Sequence, residues 1–365
     1  MSYLLRADDP VHSIPEMSRS ISPWQDLRAL IALYRFLRRE RPHIVHTHTA
    51  KAGVLGRVAA RLAGVPVVVH TFHGNVLNGY FSPLVNFCVR QVERVLAYFT
   101  DGICVLAPQQ ASDIVDRHRI APLGKVHVIP LGMDMTRFHE VGSLVNLARA
   151  LHGDGRITVG WMGRLVPIKD IPLLVATVRE TLCRTDRIRF VVAGDGPEAA
   201  TVKALADELG PRRFEWLGWR EDVDSFLAEC DVLIQTSRNE GTPVALIQGM
   251  AASRPFVSTA AGGVVDMVTG PLRRQIDGCR WFDNGVLAEA EPAAFASALC
   301  ELAADPVQIA TMGRCAAEFA NAAYSLPTML RSLDALYSSL LEKKVSQVSG
   351  VRDGRRSRAA SAGDA

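Results

Sequence analysis

The 365-residue sequence lacks any apolar run of the roughly 18 residues that a membrane-spanning helix needs. Its most apolar region, Val54 to Phe72, is broken by Arg57, Arg61 and Pro66. The opening MSYLLRADDP has no basic segment followed by a long apolar core, so no secretory signal is read there. Cysteine is sparse and unpaired in pattern. The seven residues (88, 104, 183, 230, 279, 300 and 315) are odd in number, widely spaced and without a CxxC. That argues against a disulfide framework or a zinc site and places the chain in a reducing, cytoplasmic setting. Charge of one sign is also missing, at +3 net. Basic residues are scattered and not interleaved with aromatics, which argues against nucleic-acid binding. No short-period repeat is present.

The charge that exists is unevenly placed. Residues 1–140 hold 16 Lys/Arg against 11 Asp/Glu, whereas residues 141–345 hold 21 against 25. A basic first half and an acidic second half suit two domains with different partners; chance asymmetry is the alternative. Short apolar runs alternate with helix-period segments. The strand candidates are 43–46, 67–71, 102–106, 126–129, 158–162, 190–193, 214–217, 232–235 and 255–258. They are β-branched and do not alternate with polar residues, as expected of parallel strands buried on both faces. Repeated βαβ units imply an α/β chain of two doubly wound halves. The division reads as 1–140, 141–326, a carboxy-terminal crossover helix over 327–345 and a disordered tail over 346–365. The linker is expected between Asp134 and Arg156. The first helix has Ser22 as cap, Pro23 in its first turn and Gln25 completing a capping box. Leu27, Leu30, Ile31, Tyr34 and Leu37 form its apolar stripe.

Several segments put reactive groups at strand ends, where α/β proteins bind ligands. SRNEGTPVALIQGMAASRPFVSTAAGG (Ser237 to Gly263) sets Glu240 at a Gly/Pro-rich junction between a strand and a helix. GRLVPIKD (Gly163 to Asp170) places Arg164 and Lys169 in a strand-to-helix loop. Two cations beside helix amide groups suit a diphosphate, although a pair of surface cations would look the same. AGDGPE (Ala193 to Glu198) offers Gly194 and Gly196 for tight backbone turns. In the first half, HIVHTHTAKAG (His43 to Gly53) and VVVHTFHGNV (Val67 to Val76) allow His48, Lys51 and His73 to face one cleft. His46 and His48 share a strand face as metal ligands can, but no third ligand stands at suitable spacing, so no metal is expected.

These segments together resemble the group 1, family 4-like retaining glycosyltransferases of the GT-B fold, over Ile14 to Tyr337. That family carries two Glu seven residues apart around the Glu240 loop; here the second position is Gln248. The resemblance implies two Rossmann-like domains facing a cleft. It places the donor diphosphate at Arg164 and Lys169. The donor sugar falls near Gly194, Gly196, Glu240, Gly241 and Thr242, the ribose at Gln248, and the base near Trp219 and Arg220. His73 is implied beside the reacting sugar and acceptor, and His48 and Lys51 on the acceptor side. A Gln accepts fewer hydroxyl bonds than a carboxylate, so weaker ribose binding is expected. HTHTAKAG, with its following GR, is typical of members that act on polysaccharide or lipid-linked sugars. The family begins with a further strand, Gly-rich loop, helix and strand that the sequence before IPEMSRSISPWQDL does not supply. The amino-terminal domain is therefore expected to be truncated, with YLLRA as a short substitute strand.

The resulting expectation is transfer of a sugar, with retention, from a UDP-sugar to a glycan or lipid-linked hydroxyl in cell-surface polysaccharide synthesis. A GDP-sugar is the other option for the donor, and no cofactor is expected. With no obvious nucleophile, the implied route is front-face displacement. The basic helix Trp24 to Arg39 offers a face for anionic lipid at the inner membrane surface; packing on the sheet is the alternative. A non-catalytic nucleotide-binding remnant and a sugar-nucleotide epimerase are the competing readings.

Overall fold

The computed structural model describes residues 11–17, 22–74, 83–141 and 156–361. Residues 75 and 76 of the second histidine segment, most of the expected linker and the YLLRA segment lie outside them. The first half contains four parallel strands in chain order, β1 (Ile44–His48), β2 (Val67–Phe72), β3 (Gly102–Val105) and β4 (Val126–Val128). Helices α1 (Pro23–Glu40), α2 (Ala50–Ala63), α3 (Pro83–Phe99) and α4 (Pro108–Ser112) fall before and between them.

Alternation along the strands decides which helix each residue meets. Val45 and Val68 point to one face, where they pack with Leu37 of α1 and Ala59 and Ala60 of α2. Ile44, Val67 and Val69 point to the other, where Leu336 and Leu340 cover them. Those two leucines belong to the last helix, which returns from the second half. Arg57 of α2 and Glu93 of α3 form a buried ion pair at 2.7 Å, and Arg57 Nε also donates to the Gly53 carbonyl. Removing one partner would strand the other charge, at a cost of about 3–5 kcal/mol.

Helix α1 departs from the expected pattern in two ways. Its buried stripe is Ala29 and Leu37 with Leu30, Leu33 and Phe36 partly buried, while Leu27, Ile31 and Tyr34 are exposed beside Trp24. The two stripes are offset on the helix, and packing against the small residues of α2 selects the one with Ala29. At its start, the Ser22 side chain makes no cap bond; instead the Ser22 amide donates to the Asp26 carboxylate at 3.2 Å. Asp26 thus takes the reciprocal role assigned to Gln25.

The second half holds an eight-stranded sheet in the order β10-β11-β12-β9-β8-β5-β6-β7. The strands are β5 (Ile157–Met162), β6 (Ile188–Ala193), β7 (Phe214–Trp216), β8 (Val232–Gln235), β9 (Phe256–Thr259), β10 (Arg274–Ile276), β11 (Cys279–Trp281) and β12 (Gly285–Ala288). Helices α5 (Ile171–Arg184), α6 (Ala199–Leu209), α7 (Val223–Glu229), α8 (Val244–Ala251), α9 (Pro292–Ala304) and α10 (Pro306–Tyr324) complete the doubly wound unit. Strands β5 and β8 are buried throughout. Val159, Trp161 and Phe190 line one face with α5 and α9, whereas Val191, Leu233 and Phe256 line the other with α8 and α10. Truncating Trp161 or Phe190 to Ala would cost about 3–5 kcal/mol through lost burial and the cavity left behind.

The antiparallel β10–β11 hairpin was not anticipated. Its strands are three residues long, too short to show a period. Its signal was the Asp277-Gly278 pair, which turns with positive φ at both residues, 50° and 72°. The final helix, α11 (Leu326–Ser361), begins after a junction in which Met133 N donates to the Tyr324 carbonyl and Leu326 N to the Met133 carbonyl. The backbone is helical over 346–361, which composition reads as disordered; that stretch contains no proline to stop the helix.

Candidate active site

Strand order reverses between β5 and β8: β6 and β7 continue to one side of β5, and β9 and β12 to the other side of β8. The loops that leave these two central strands therefore turn apart and open a crevice at their carboxyl ends. The loop after β5 carries Arg164 and Lys169, and the loop after β8 carries Glu240. Lys169 Nζ meets Glu240 Oε1 at 2.5 Å. The same carboxylate oxygen accepts from Gln235 Nε2 at 2.7 Å and from Ser237 Oγ at 2.5 Å. The two loops are further joined by Thr236 Oγ1 to the Lys169 carbonyl, by Arg238 N to the Ile168 carbonyl and by a two-pronged Arg238–Asp170 pair. Asp170 also caps α5 through the Leu173 amide.

Beside this network lies a cavity of about 240 Å³. Arg164, Gly194, Trp219, Arg220 and Gln248 line it together with apolar side chains such as Val223 and Phe226. Among the described residues Arg164 has no carboxylate partner, whereas Arg220 is held by Asp222. Trp219 is 66% exposed, so its indole forms a rim to the cavity. A side chain at Gly194 would collide with the Gly163 carbonyl, which the added Cβ would meet at 1.9 Å. Gly196 continues the same turn. The Thr242 hydroxyl is buried with no hydrogen-bond partner among the described residues.

Across the cleft, β1 and β2 bring three histidines together. His48 Nδ1 and His73 Nε2 are 2.8 Å apart, and the His46 ring stacks on His48 with centroids 4.4 Å apart. A neutral imidazole has one donor and one acceptor, so the His48–His73 bond requires at least one neutral ring. Burial lowers the pKa of all three, and their mutual proximity lowers His46 and His48 further, His46 to about 4. His46 is fixed at both nitrogens, by Tyr337 of α11 at 2.5 Å and by Thr71 at 2.6 Å. Lys51, at the start of α2, pairs with Asp26 of α1 at 2.5 Å. Among the described residues no cluster of three or more His, Cys, Asp or Glu could hold a metal ion.

The two sides touch at Gly241. A Cβ there would lie 2.8 Å from the His73 carbonyl oxygen, so only glycine lets the Glu240 loop approach the histidine loop this closely. Nearby, the Gln109 amide at the start of α4 donates to Asp266 Oδ2 at 3.0 Å.

Comparison with known proteins decides the family. Residues 156–305 match the family model described as Glycosyl transferases group 1, and residues 3–132 match a Glycosyl transferase 4-like domain. The chain is 32% identical to a UDP-Gal:alpha-D-GlcNAc-diphosphoundecaprenol alpha-1,3-galactosyltransferase of Escherichia coli, over 70% of this chain and 68% of that one. It is 26% identical to the putative glycosyltransferase EpsF of Bacillus subtilis, over 63% of this chain and 61% of that one. Among solved structures, Anabaena Alr3699/HepE in complex with UDP superposes with a TM-score of 0.69 at 21% identity, covering 86% of this chain and 82% of that one.

The chain belongs to the group 1 glycosyltransferases. Its fold is GT-B and its class of activity is glycosyl transfer.

In this glycosyltransferase the expected residues fall into two groups. Arg164, Lys169, Gly194, Gly196, Trp219, Arg220, Glu240, Gly241, Thr242 and Gln248 surround the crevice of the second half. His48 and His73 lie across from them. Sequence reading missed the supports: Gln235 and Ser237 beneath Glu240, Asp170 with Arg238, and the Tyr337–His46 bond. Gln235 did carry a signal, as an amide ending an otherwise apolar strand. The Tyr337–His46 bond spans 291 positions, and no local pattern reports it.

Proposed function

We propose that the chain transfers a hexose from a UDP-sugar, with retention, to a hydroxyl of a lipid-diphosphate-linked saccharide used for cell-surface polysaccharide. The observation that carries this reading is the Lys169–Glu240 pair at the reversal of strand order, beside a cavity of about 240 Å³ that Arg164 lines. Arg164 and Lys169 hold the diphosphate and stabilise its charge as it leaves. Trp219 and Arg220 border the base, and Gln248 meets the ribose. Glu240 orients the donor sugar, with the Gly241 backbone alongside. His73, held by His48, orients the acceptor hydroxyl as a neutral imidazole. Among the described residues no side chain stands as a clear nucleophile, so the route is a front-face displacement. The C1–O bond to the diphosphate breaks, the acceptor oxygen bonds C1 on the same face, and its proton passes to the leaving phosphate oxygen. The fixed cations supply charge compensation, and no metal cofactor is part of the proposal.

Support for the donor and acceptor comes from the names of related proteins: the E. coli relative uses UDP-Gal and a diphosphoundecaprenol acceptor, and the HepE structure holds UDP. Among the described residues no helix is long and apolar enough to cross a membrane. Peripheral contact is proposed instead through the exposed Trp24, Leu27, Ile31 and Tyr34 of α1, flanked by Arg28, Arg35, Arg38 and Arg39.

The test is incubation with UDP-galactose, UDP-glucose or UDP-GlcNAc and a polyprenyl-diphosphate-linked GlcNAc, with the product's anomeric configuration read by NMR. An α-linked product supports the proposal. A β-linked product overturns retention, and release of free or epimerised sugar without acceptor favours the epimerase reading.

A further inference from the structure

Glu240 Oε1 receives three donors that differ in how easily they can leave. Gln235 and Ser237 are 1% and 0% exposed and sit on or next to β8. Gln235 Nε2 also donates to Ser237 Oγ at 2.9 Å, and the Ser237 carbonyl is held by Thr259 Oγ1 at 2.6 Å. Moving either would leave buried polar groups unpaired. Lys169 reaches the carboxylate on a flexible four-carbon stem from a loop that faces the cavity, and its ammonium has three donors to redistribute. Its backbone is stitched to the Glu240 loop through Thr236 and Arg238, so the side chain can change partner while the loops stay in place.

From this asymmetry we infer that Lys169 is a shared counter-ion for which Glu240 and an incoming diphosphate compete, with Gln235 and Ser237 as the positioning residues that keep Glu240 in place when Lys169 is drawn away. The inference rests on the donor-site reading above and deepens it. In the free protein the ammonium neutralises Glu240. A bound diphosphate draws it off, and the carboxylate stays on its two neutral donors with its counter-charge withdrawn. Anion binding is thereby coupled to freeing Glu240 for the hydroxyls of the donor sugar. Arg164, without a carboxylate partner among the described residues, provides the part of the phosphate site that does not have to be recruited.

The test is a double-mutant cycle on UDP affinity by titration calorimetry, with thermal unfolding of each variant as a folding control. Glu240→Gln keeps the side-chain shape and an acceptor oxygen for Gln235 and Ser237. In the chain that retains Lys169 it should tighten UDP binding, on the order of five- to tenfold. In the Lys169→Ala background the same substitution should change affinity by less than about twofold, because the gain runs through Lys169. Equal tightening in both backgrounds would mean direct repulsion between Glu240 and the phosphate, and would overturn the inference. So would no tightening at all.

Gln235→Met provides an independent arm. With one neutral donor gone, Glu240 leans harder on Lys169, and UDP should bind about two- to fivefold more weakly. Unchanged affinity overturns the positioning role. A merely structural role for these residues would weaken binding in both Glu240→Gln and Gln235→Met; opposite signs mark the competition. If Lys169→Ala leaves UDP affinity at the wild-type value, or if wild-type protein binds no UDP, the donor-site reading itself fails. If Lys169→Ala weakens UDP while Glu240→Gln does not tighten it, only the present inference fails.

Discussion

The two halves of this glycosyltransferase solve the same structural problem in different ways. The carboxy-terminal sheet reverses its strand order between β5 and β8, whereas the four described amino-terminal strands follow one another in chain order. A reversal creates a crevice, and this one is furnished with permanent charge: Arg164, Lys169 and Glu240. The amino-terminal strand ends present neutral imidazoles, kept neutral by burial and by one another. Fixed charge suits an anionic donor that must be held through a change in its own charge. Neutral imidazoles suit a hydroxyl that must be oriented without being ionised. The division of labour therefore predicts that substitutions in one half should alter binding, and in the other turnover.

The sharpest test of that division is His73→Ala. Turnover should fall about a hundredfold or more, with UDP affinity unchanged by calorimetry; a matching loss of UDP affinity would break the comparison. Next in size is acid sensitivity. His46 titrates near 6.5 when unfolded and at about 4 when folded, so the native state favours its neutral form. The unfolded chain takes up the proton first, and stability present above pH 6.5 is lost as pH falls toward 4, by about 2–3 kcal/mol. Chemical denaturation at pH 7, 6 and 5 should show this loss, and His46→Gln should reduce it, leaving the share of the buried His70 and of His48 and His73, whose pKa values burial also lowers. UDP binding in the carboxy-terminal half should persist over the same range.

A smaller effect is expected on the donor side. Arg164→Ala should weaken UDP binding about ten- to thirtyfold through loss of a charge-assisted contact. Gln248→Glu is the mildest, and like Glu240→Gln it is a gain: about two- to fivefold tighter UDP binding, as a carboxylate accepts from both ribose hydroxyls. No change there would leave Gln248 as a wall of the cavity and nothing more.

The fold was largely legible because parallel strands buried on both faces advertise themselves. Val67 to Val69 and Val232 to Ile234 can hardly be read otherwise, and each expected strand has a counterpart. The crevice was legible because the loops after β5 and β8 concentrate charge and glycine at strand ends. What stayed hidden depended on choices made by packing. Nothing local ranks the Leu27 stripe of α1 below the Ala29 stripe, because the small residues of α2 decide it. The Lys51–Asp26 pair joins α2 to α1 across 25 positions, and no local pattern reports it. Gln235 reads as the end of a strand, and only the return of the Glu240 loop shows what its amide holds.

The most direct measurement of the central claim is thermal unfolding with UDP, GDP, ADP or no ligand, on the wild-type chain and on the Arg164→Ala/Lys169→Ala double variant. A nucleotide that binds only the folded crevice stabilises it by about 2.7 kcal/mol at a hundred times its Kd, which corresponds to a rise of several degrees. The account predicts that rise with UDP, a smaller one with GDP and ADP, and none in the double variant. An unfolding transition indifferent to all three nucleotides, or raised equally in the double variant, would contradict it.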